Sequence, residues 1–228
     1  MNIPYTAPTK ERNIIYIVPL DTDLPNHKTI SEYVGIFFQM DVIVLERHHI
    51  DTLSVEIRKG QYLATDILSY LKKILPSDAF CIMAITTKDL YEGSSDFVFG
   101  LSSYSERVGI FSVARFSTSL YDEEGQKECF EEFGIDLLQI LTNDSVMNRS
   151  LKILTHEIMH SFSMEHCTYF NCLLCGCNSV IELDRWSFTL CPVCIQKLYI
   201  AHPFDVHKRE QELSKFYKNN NIYKNNSI

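Results

Sequence analysis

A histidine-rich stretch in the C-terminal half of the chain has the residue types and spacing of a metal site. His156 and His160 are four positions apart, and Glu157 directly follows the first histidine. If this stretch is helical, residues i and i+4 share one face, so both imidazoles can reach a single metal ion. A carboxylate one position further on can approach a water molecule that completes the coordination shell. The pattern therefore predicts a metal-activated water with Glu157 as its general base.

A third imidazole is available from His166, six residues after His160. It can reach the other two if the helix ends near Phe162 and the chain turns. Neutral imidazole is a good zinc ligand, and three protein ligands leave one position open for water, as in catalytic zinc sites. A lone histidine on an apolar helix face is more often a core residue, and HExxH by itself is only moderately specific. The third histidine favours a catalytic zinc held by His156, His160 and His166.

Six of the eight cysteines crowd into residues 167–194. In a reducing compartment, clustered cysteines with CxxC spacing are typical of metal sites rather than of disulfides. Cys191 and Cys194 form one such CxxC knuckle, and zinc bound by four thiolates closes a structural site. The partners of the knuckle must come from the upstream members of the cluster, which are Cys167, Cys172, Cys175 and Cys177. Spacing alone favours Cys172 and Cys175, because they form a second CxxC.

Residues 156–198 resemble the archaemetzincins, a family of zinc metallopeptidases in the metzincin clan. They read HEIMHSFSMEHCTYFNCLLCGCNSVIELDRWSFTLCPVCIQKL. The family's pattern is HExxHxxGxxHC, then a cysteine after four residues, then a later CPxC. The likeness extends upstream through four short segments, Gln61-Tyr62, Asp89-Leu90-Tyr91, Phe97-Val98-Phe99-Gly100 and Ser112-Val113-Ala114-Arg115-Phe116. The resemblance therefore covers most of the chain except its C-terminal tail.

The resemblance implies two zinc ions, one catalytic and one structural. The three imidazoles hold the catalytic ion, and Glu157 is the general base. The ligands of the structural ion are then four thiolates, from Cys167, Cys172, Cys191 and Cys194. This set differs from the choice that spacing favours, because Cys167 takes the place of Cys175. Cys175 and Cys177 stand at positions that are not cysteine in the family's pattern, and we interpret them as spare thiols or alternative ligands.

Two positions depart from the family's pattern. Ser163 stands where the family has the glycine that lets the chain turn toward the third ligand. If that position needs a positive φ, serine costs about 1 kcal/mol. Leu174 replaces the methionine that forms an apolar floor beneath the metal, and leucine is apolar and of similar volume. Neither change removes a ligand or the base, so we expect a weakened rather than a lost site.

Composition limits the class of protein. The chain has 228 residues, of which 46% are hydrophobic and 22% charged, so we expect a soluble globular protein with a substantial core. The net charge of −8 argues against binding of nucleic acid, which normally needs an excess of Lys and Arg. Apolar runs fall far short of the ~18 residues that span a bilayer, and the N-terminus lacks a signal-peptide pattern. We therefore expect no membrane association and a cytoplasmic, intracellular location. The sequence does not indicate whether the protein is a monomer or an oligomer.

The first half of the chain alternates strand-like and helix-like segments. Strands are predicted at residues 13–19, 41–46, 79–85, 96–100 and 108–116, and helices at 29–39 and 61–74. A surface loop at 117–126 and a helix at 127–141 precede the active-site helix, for which Asp144 is a plausible cap. This order predicts an α/β (mixed α+β) fold, with a twisted, mostly parallel sheet, covering helices and a zinc-stapled, cysteine-rich segment near the C-terminus.

The predicted domain organisation is simple. Residues 1–204 are expected to form a single catalytic domain, with the sheet part at 1–145 and the active-site helix and zinc segment at 146–204. Residues 205–228 are charged and then rich in Asn and Lys. This composition predicts a polar tail with a short helix and a disordered end.

The sequence favours a zinc-dependent metallopeptidase that hydrolyses peptide or protein substrates through a zinc-bound water activated by Glu157. The resemblance also implies an antiparallel edge strand that pairs with the substrate backbone. Residues 108–113 are the candidate, with an ordinary interior strand as the alternative. The rival function is a catalytically weak or inactive, zinc-stabilised peptide-binding module, favoured by Ser163 and Leu174. A zinc-ribbon binder of nucleic acid conflicts with the acidic composition.

Overall fold

A computed structural model describes residues 5–116 and 143–222. The predicted loop at 117–126 and the predicted helix at 127–141 lie outside the described residues. In the described parts of the chain, none of the helices has the length and apolar character needed to cross a membrane.

Two sheets form the framework of the fold. The strands are β1 Ile14–Pro19, β2 Asp41–Val44, β3 Ile57–Arg58, β4 Gln61–Leu63, β5 Ala79–Thr86, β6 Leu90–Tyr91, β7 Gly100–Ser102 and β8 Val108–Ser112. The main sheet has the order β2-β1-β5-β8-β7, and β3, β4 and β6 form a smaller one. In the main sheet, β1 is parallel to β2 and β5, and β5 is parallel to β8. Only β7, at one edge, runs antiparallel to its neighbour. The predicted mostly parallel sheet is confirmed.

Helices cover both faces of the main sheet. They are α1 His27–Phe38, α2 Ala64–Ile74, α3 Asn143–Ser161, α4 Val180–Arg185, α5 Pro192–Ala201 and α6 Val206–Asn219. In β1, Ile15 and Ile17 belong to the apolar cluster of α1 and α3, whereas Tyr16 and Val18 belong to the cluster of α2. Because β1 is covered on both faces, its sequence is a continuous apolar run rather than an alternating one.

Three predicted elements differ from the structure at their ends. The segment 61–74 opens with strand β4, because the Tyr62 amide donates to the Asp89 carbonyl, and the helix begins only at Ala64. The strand predicted at 96–100 contributes an isolated bridge at Val98, and β7 begins at Gly100. The strand predicted at 108–116 ends at Ser112. There the Ser112 hydroxyl accepts from the Ala114 amide at 3.0 Å and turns the chain into a short 3-10 helix, Ala114–Phe116.

The predicted edge strand at 108–113 is wrong. Strand β8 lies in the interior of the sheet, between β5 and β7. The chain reverses just before it, through a turn in which the Glu106 amide donates to the Ser103 hydroxyl and Arg107 has a φ of 62°. A fully buried strand reads as an unbroken apolar run, which is the pattern of β8. The sheet edge next to β8 is the short antiparallel strand β7, and the other edge is β2.

Helix α6 is the helix that was predicted within the polar tail at residues 205–228, but it packs on the core. It extends over 14 residues, and its Phe216 ring lies 5.4 Å from the ring of Tyr33 on α1. The buried Arg209 donates from Nε to the Phe37 carbonyl at 2.7 Å. The apolar side of α6 belongs to the same cluster as α1 and α3. The division of the chain after residue 204 stays a prediction.

Candidate functional site

Three imidazoles converge at the C-terminal end of α3. His156 and His160 lie one helical turn apart, and their Nε2 atoms are 3.0 Å apart. The Nε2 atom of His166 lies 3.1 Å from that of His156. Zinc holds nitrogen ligands at 2.0–2.1 Å with tetrahedral angles, so two such nitrogens are about 3.3 Å apart. The observed spacing fits a zinc ion, and these three residues are a group that could hold a metal.

A left-handed turn brings His166 to the other two histidines. Ser163 has a φ of 60°, and its amide donates to the His160 carbonyl at 2.8 Å. The Met164 amide reaches the Met159 carbonyl at 3.4 Å. These two bonds and one left-handed residue form a Schellman motif, which ends helices and usually has glycine at the left-handed position. The helix therefore ends at the place where the third ligand requires a turn.

The Ser163 side chain offsets the strain of its own backbone. Its hydroxyl donates to the Tyr104 carbonyl at 2.9 Å and lies 2.7 Å from the hydroxyl of Thr6. The Thr6 amide also donates to the Phe162 carbonyl at 3.1 Å. Each such bond contributes about 0.5–1.5 kcal/mol, comparable to the cost of about 1 kcal/mol for a left-handed serine. Serine in place of glycine thus gains contacts that glycine lacks.

Backbone carbonyls fix the orientation of two of the rings. His160 Nδ1 lies 2.7 Å from the Met164 carbonyl, and His156 Nδ1 lies 3.1 Å from the Leu173 carbonyl. Because a carbonyl only accepts, each Nδ1 donates and each Nε2 keeps its lone pair for a ligand. Burial lowers the pKa of His160 to about 4 and lowers the pKa of His156 well below its ordinary value. Both imidazoles are therefore neutral near pH 7, as metal binding requires.

Glu157 is buried against the edge strand. A methyl group on Gly100 would lie 2.8 Å from Glu157 Cδ and 2.9 Å from its Cγ, so the carboxylate fits only because Gly100 has no side chain. Burial raises the pKa of Glu157 to about 8, and the Ser102 hydroxyl lowers it to a smaller extent. Among the described residues, Glu157 Oε2 has no hydrogen-bond partner. One carboxylate oxygen is thus an unused hydrogen-bond acceptor within the described part of the protein.

The histidines and Glu157 open into a cleft of about 470 Å³. One wall is formed by the edge strand and the residues after it, including Leu101 and Tyr104. Trp186 and the loop that contains Cys177 and Asn178 also line the cleft. The ring of Tyr104 lies 5.0 Å from that of His160. The edge strand β7 and the candidate metal group therefore border the same cleft.

The backbone of β7 offers hydrogen-bonding groups to this cleft. The Ser112 amide donates to the Phe99 carbonyl, and the Ser103 amide donates to the Val108 carbonyl. In an antiparallel pair the bonded residues alternate, so Leu101 also bonds to β8. The amides and carbonyls of Gly100 and Ser102 then point away from β8, where no described strand pairs with them. This edge can accept an extended peptide.

A second candidate metal group lies beside the first. It consists of four thiols whose sulfurs lie within 4.8 Å of one another, those of Cys167, Cys172, Cys191 and Cys194. The Sγ atoms of Cys167 and Cys191 are 3.8 Å apart, and tetrahedral zinc with Zn–S bonds of ~2.3 Å places two sulfurs about 3.8 Å apart. The Cys191 amide donates to Cys172 Sγ at 3.2 Å. Hydrogen bonds from the Cys194 thiol and from this amide lower the pKa of Cys172, which favours a thiolate.

The other two cysteines of the stretch lie outside the four-thiol group. Cys175 donates to the Phe170 carbonyl at 3.2 Å. Cys177 borders the cleft, and burial raises its pKa to about 12. The structure therefore does not bring Cys172 and Cys175 together as the CxxC pair that spacing favoured. All described cysteines are free thiols.

Several residues of the site were not identified from the sequence. Gly100 was noted only as part of a segment shared with the family, although a glycine inside a strand is a known sign of close backbone approach. The roles of the Met164 and Leu173 carbonyls cannot be predicted from the sequence, because every residue has a backbone carbonyl. Trp186 is the only tryptophan of the chain, and it lies on the ring of His156. As the only tryptophan, Trp186 could have been noted from the sequence, but the sequence does not reveal that it contacts His156.

The contact between Gly100 and Glu157 leads to a prediction about stability. We expect Gly100→Ala to lower the free energy of unfolding by about 1–3 kcal/mol, because the added methyl group overpacks against the carboxylate. In a Glu157→Ala background the same substitution should cost much less, giving a coupling of at least ~1 kcal/mol in a double-mutant cycle. Urea denaturation of the four proteins measures it.

A matched control for this cycle is Gly35→Ala on α1, where the added methyl group would meet its nearest atom only at 3.5 Å. Its effect should add to that of Glu157→Ala. Additivity for Gly100→Ala as well, within about 0.5 kcal/mol, would show that the strand does not press on the carboxylate.

Comparison with known proteins gives consistent results. The model of peptidase family M54 matches residues 39–199. The chain is 35% identical over 236 residues to archaemetzincin-2 of Macaca fascicularis, covering 92% of this chain and 65% of that relative. It is 29% identical over 196 residues to the archaemetzincin of Pyrococcus furiosus, covering 82% of this chain and 93% of the relative. The chain thus spans about 65% of the length of the archaemetzincin-2 proteins it matches.

A solved structure is also similar. The archaemetzincin of Archaeoglobus fulgidus, crystallised with malonate, superposes with a TM-score of 0.59 at 27% sequence identity. The match covers 81% of this chain and 99% of that protein. The match to the family model extends over more than half of the chain and includes both candidate metal groups. This chain therefore belongs to peptidase family M54, whose relatives here are named archaemetzincins.

Proposed function

We propose that this chain is a zinc-dependent metallopeptidase. The observation that supports it most strongly is the convergence of three Nε2 atoms beside a buried carboxylate, in a cleft bordered by a strand edge that no described strand covers. His156, His160 and His166 are the proposed ligands of a catalytic zinc, and Glu157 is the proposed general base. Membership of a peptidase family supports the same assignment.

A second zinc is proposed for the four-thiol group. Four thiolates fill all tetrahedral positions, which is the composition of structural rather than catalytic zinc sites. The histidine group supplies three ligands and leaves one position for water or substrate, which is the composition of catalytic ones. The donor sets therefore assign different roles to two neighbouring ions.

The chain's own residues would then handle the protons. When bound, zinc supplies Lewis-acid activation of a water molecule and of the peptide carbonyl. The pKa of about 8 belongs to the site without a cation, and the charge of a bound zinc ion would lower it and keep Glu157 ionised. Its Oε2 atom, which lacks a partner among the described residues, would then accept the proton of the attacking water. The same oxygen then returns this proton to the leaving amine. Burial of Glu157 keeps bulk water away from the carboxylate, and Gly100 lets it lie directly against the strand that would hold the substrate.

The substrate is proposed to be an extended peptide that adds a strand to the sheet at β7. The outward amides and carbonyls of Gly100 and Ser102 can exchange hydrogen bonds with its backbone. Strand addition of this kind obtains affinity from the main chain and leaves side-chain preference to neighbouring pockets. It places the peptide backbone over Glu157, since Gly100 and Glu157 are in contact.

The role of Glu157 is tested by Glu157→Gln. The amide has nearly the same shape but cannot take a proton, so we expect hydrolysis to fall at least ~10²–10⁴-fold. Zinc content should stay unchanged, because Glu157 is not a proposed ligand. The melting temperature should not fall, because the amide keeps the shape of the side chain and removes a carboxyl group whose charged form burial disfavours. Digestion of a peptide library, followed by mass spectrometry, measures cleavage, and elemental analysis measures zinc.

The matched control is Glu165→Gln, an equivalent change at an exposed glutamate beside His166. It should cleave the library at the wild-type rate. Equal turnover by the Glu157→Gln and wild-type proteins would contradict the mechanism. A wild-type protein that contains two zinc ions and binds peptides without cutting them would instead support the peptide-binding module.

Strand addition predicts a pattern in a scan of N-methylated substrates. Only alternate residues of an added strand direct their amides toward β7, and a methyl group removes the donor. Away from the bond that is cut, methylation at alternate positions should lower kcat/KM about three- to tenfold, consistent with one lost hydrogen bond at each site. Intervening positions should be tolerated. A uniform effect along the peptide would show that the edge of β7 does not hold the substrate.

A further inference from the structure

The only tryptophan of the chain lies flat against one of the proposed zinc ligands. The ring centroids of Trp186 and His156 are 4.9 Å apart, and their planes differ by 20°. Trp186 is 5% exposed and borders the cleft. Its indole nitrogen carries a proton and only donates, so Trp186 cannot itself bind the metal. Its contact is with the ligand rather than with the ion.

Two buried cations of α3 anchor the segment that carries Trp186. Arg149 donates from Nε and Nη2 to both carboxylate oxygens of Asp184, at 2.8 and 2.5 Å. Lys152 Nζ donates to the carbonyls of Leu183 and Asp184 at 3.0 and 3.1 Å. These acceptors lie at the C-terminal end of α4, where cations are favourable to the helix dipole. Trp186 is the residue that caps this end.

On the same helix, Lys152 lies one turn before His156, and Arg149 lies two turns before it. Arg149 and Lys152 are no more than 2% exposed, and burying a charge is costly unless it is paired. The carboxylate and carbonyl oxygens at the end of α4 supply this pairing. As a result, the distance between the helix that carries His156 and the segment that carries Trp186 is fixed by strong, charge-assisted bonds.

The other flank of Trp186 is held by the cysteine-rich loop. Asn171 donates from Nδ2 to the Arg185 carbonyl at 3.2 Å, and its Oδ1 accepts from the Ser187 amide at 3.0 Å. One side chain thus bonds to the residues immediately before and after Trp186. Asn171 directly precedes Cys172, a member of the four-thiol group.

From this arrangement we propose that Trp186 is a positioning residue for His156. The Leu173 carbonyl at Nδ1 fixes the rotation of the imidazole within its plane, and the indole face fixes the plane itself. Together they hold Nε2 toward the other two histidines before any metal arrives. Groups that orient a metal ligand typically change metal affinity 10–100-fold when they are removed. The inference rests on the proposed function, because it requires the histidine group to bind zinc.

The test compares zinc affinity at the histidine group among three variants. A mild chelator should empty the open histidine group and leave one zinc per chain in the closed thiol group, as checked by elemental analysis. Zinc is then titrated back by calorimetry. We expect Trp186→Leu to weaken this affinity about tenfold or more, and Trp186→Phe, which keeps a flat ring, to weaken it less than about threefold.

Phe188→Leu is the matched control. Phe188 is equally buried and lies two residues further along, where it packs against Lys152 and Tyr217. The Phe188→Leu variant should lose about as much thermal stability as the Trp186→Leu variant. It should nevertheless bind zinc with the wild-type affinity. If Trp186→Leu stays within twofold of Phe188→Leu in zinc affinity, Trp186 only fills the core and the inference is wrong. Absence of zinc binding at this group in the wild-type protein would instead overturn the proposed function.

A second measurement needs no substitution, so it still tests the contact between Trp186 and the histidine group if Trp186→Leu does not fold. Cobalt(II) quenches the emission of a nearby indole, and here all tryptophan emission comes from Trp186. One equivalent of cobalt added to protein with an emptied histidine group should remove most of that emission. Emission that persists after cobalt is bound would place the indole away from His156 and contradict the proposal.

Discussion

The turn at Ser163 takes the chain out of α3 and back across the end of its own helix. Two bonds of the Schellman motif set this turn, and a left-handed residue permits it. Its result is that Met164 presents a carbonyl to His160 and that His166 arrives beside His156. Two histidines on a helix are common, but a third in contact with them requires the helix to end at this point. The rest of the cleft is arranged around this turn.

The two candidate metal groups share their supporting backbone. His166 is followed directly by Cys167, and the Leu173 carbonyl that orients His156 follows Cys172. The Cys167 amide donates to the Leu174 carbonyl at 2.8 Å, which joins the two ends of this loop. The side chain of Leu174, which replaces a methionine of the family's pattern, is buried. An ion in the thiol group would therefore brace two of the three imidazoles through a few bonds of rigid backbone.

Much of this site could be predicted from the sequence. The parts that could not be predicted depend on contacts between segments that are distant along the chain. The helical period placed His156 and His160 together, and resemblance to the family, rather than spacing, chose Cys167 over Cys175. The edge strand was predicted wrongly because β7 has three residues, too few for a periodic pattern, whereas the longer apolar run of β8 is an interior strand. Contacts such as Gly100 with Glu157 join residues 57 positions apart along the chain. They depend on how α3 docks on the sheet, which local patterns do not encode.

The central claim is that three imidazoles hold one zinc ion and leave a position open to the cleft. Anomalous diffraction at the zinc edge, from crystals grown without chelator, tests it most directly. The account predicts a peak about 2.0–2.1 Å from the Nε2 atoms of His156, His160 and His166, with a non-protein ligand in the fourth position. A structure in which His166 turns away from that peak, or in which a fourth side chain occupies the open position, would contradict it.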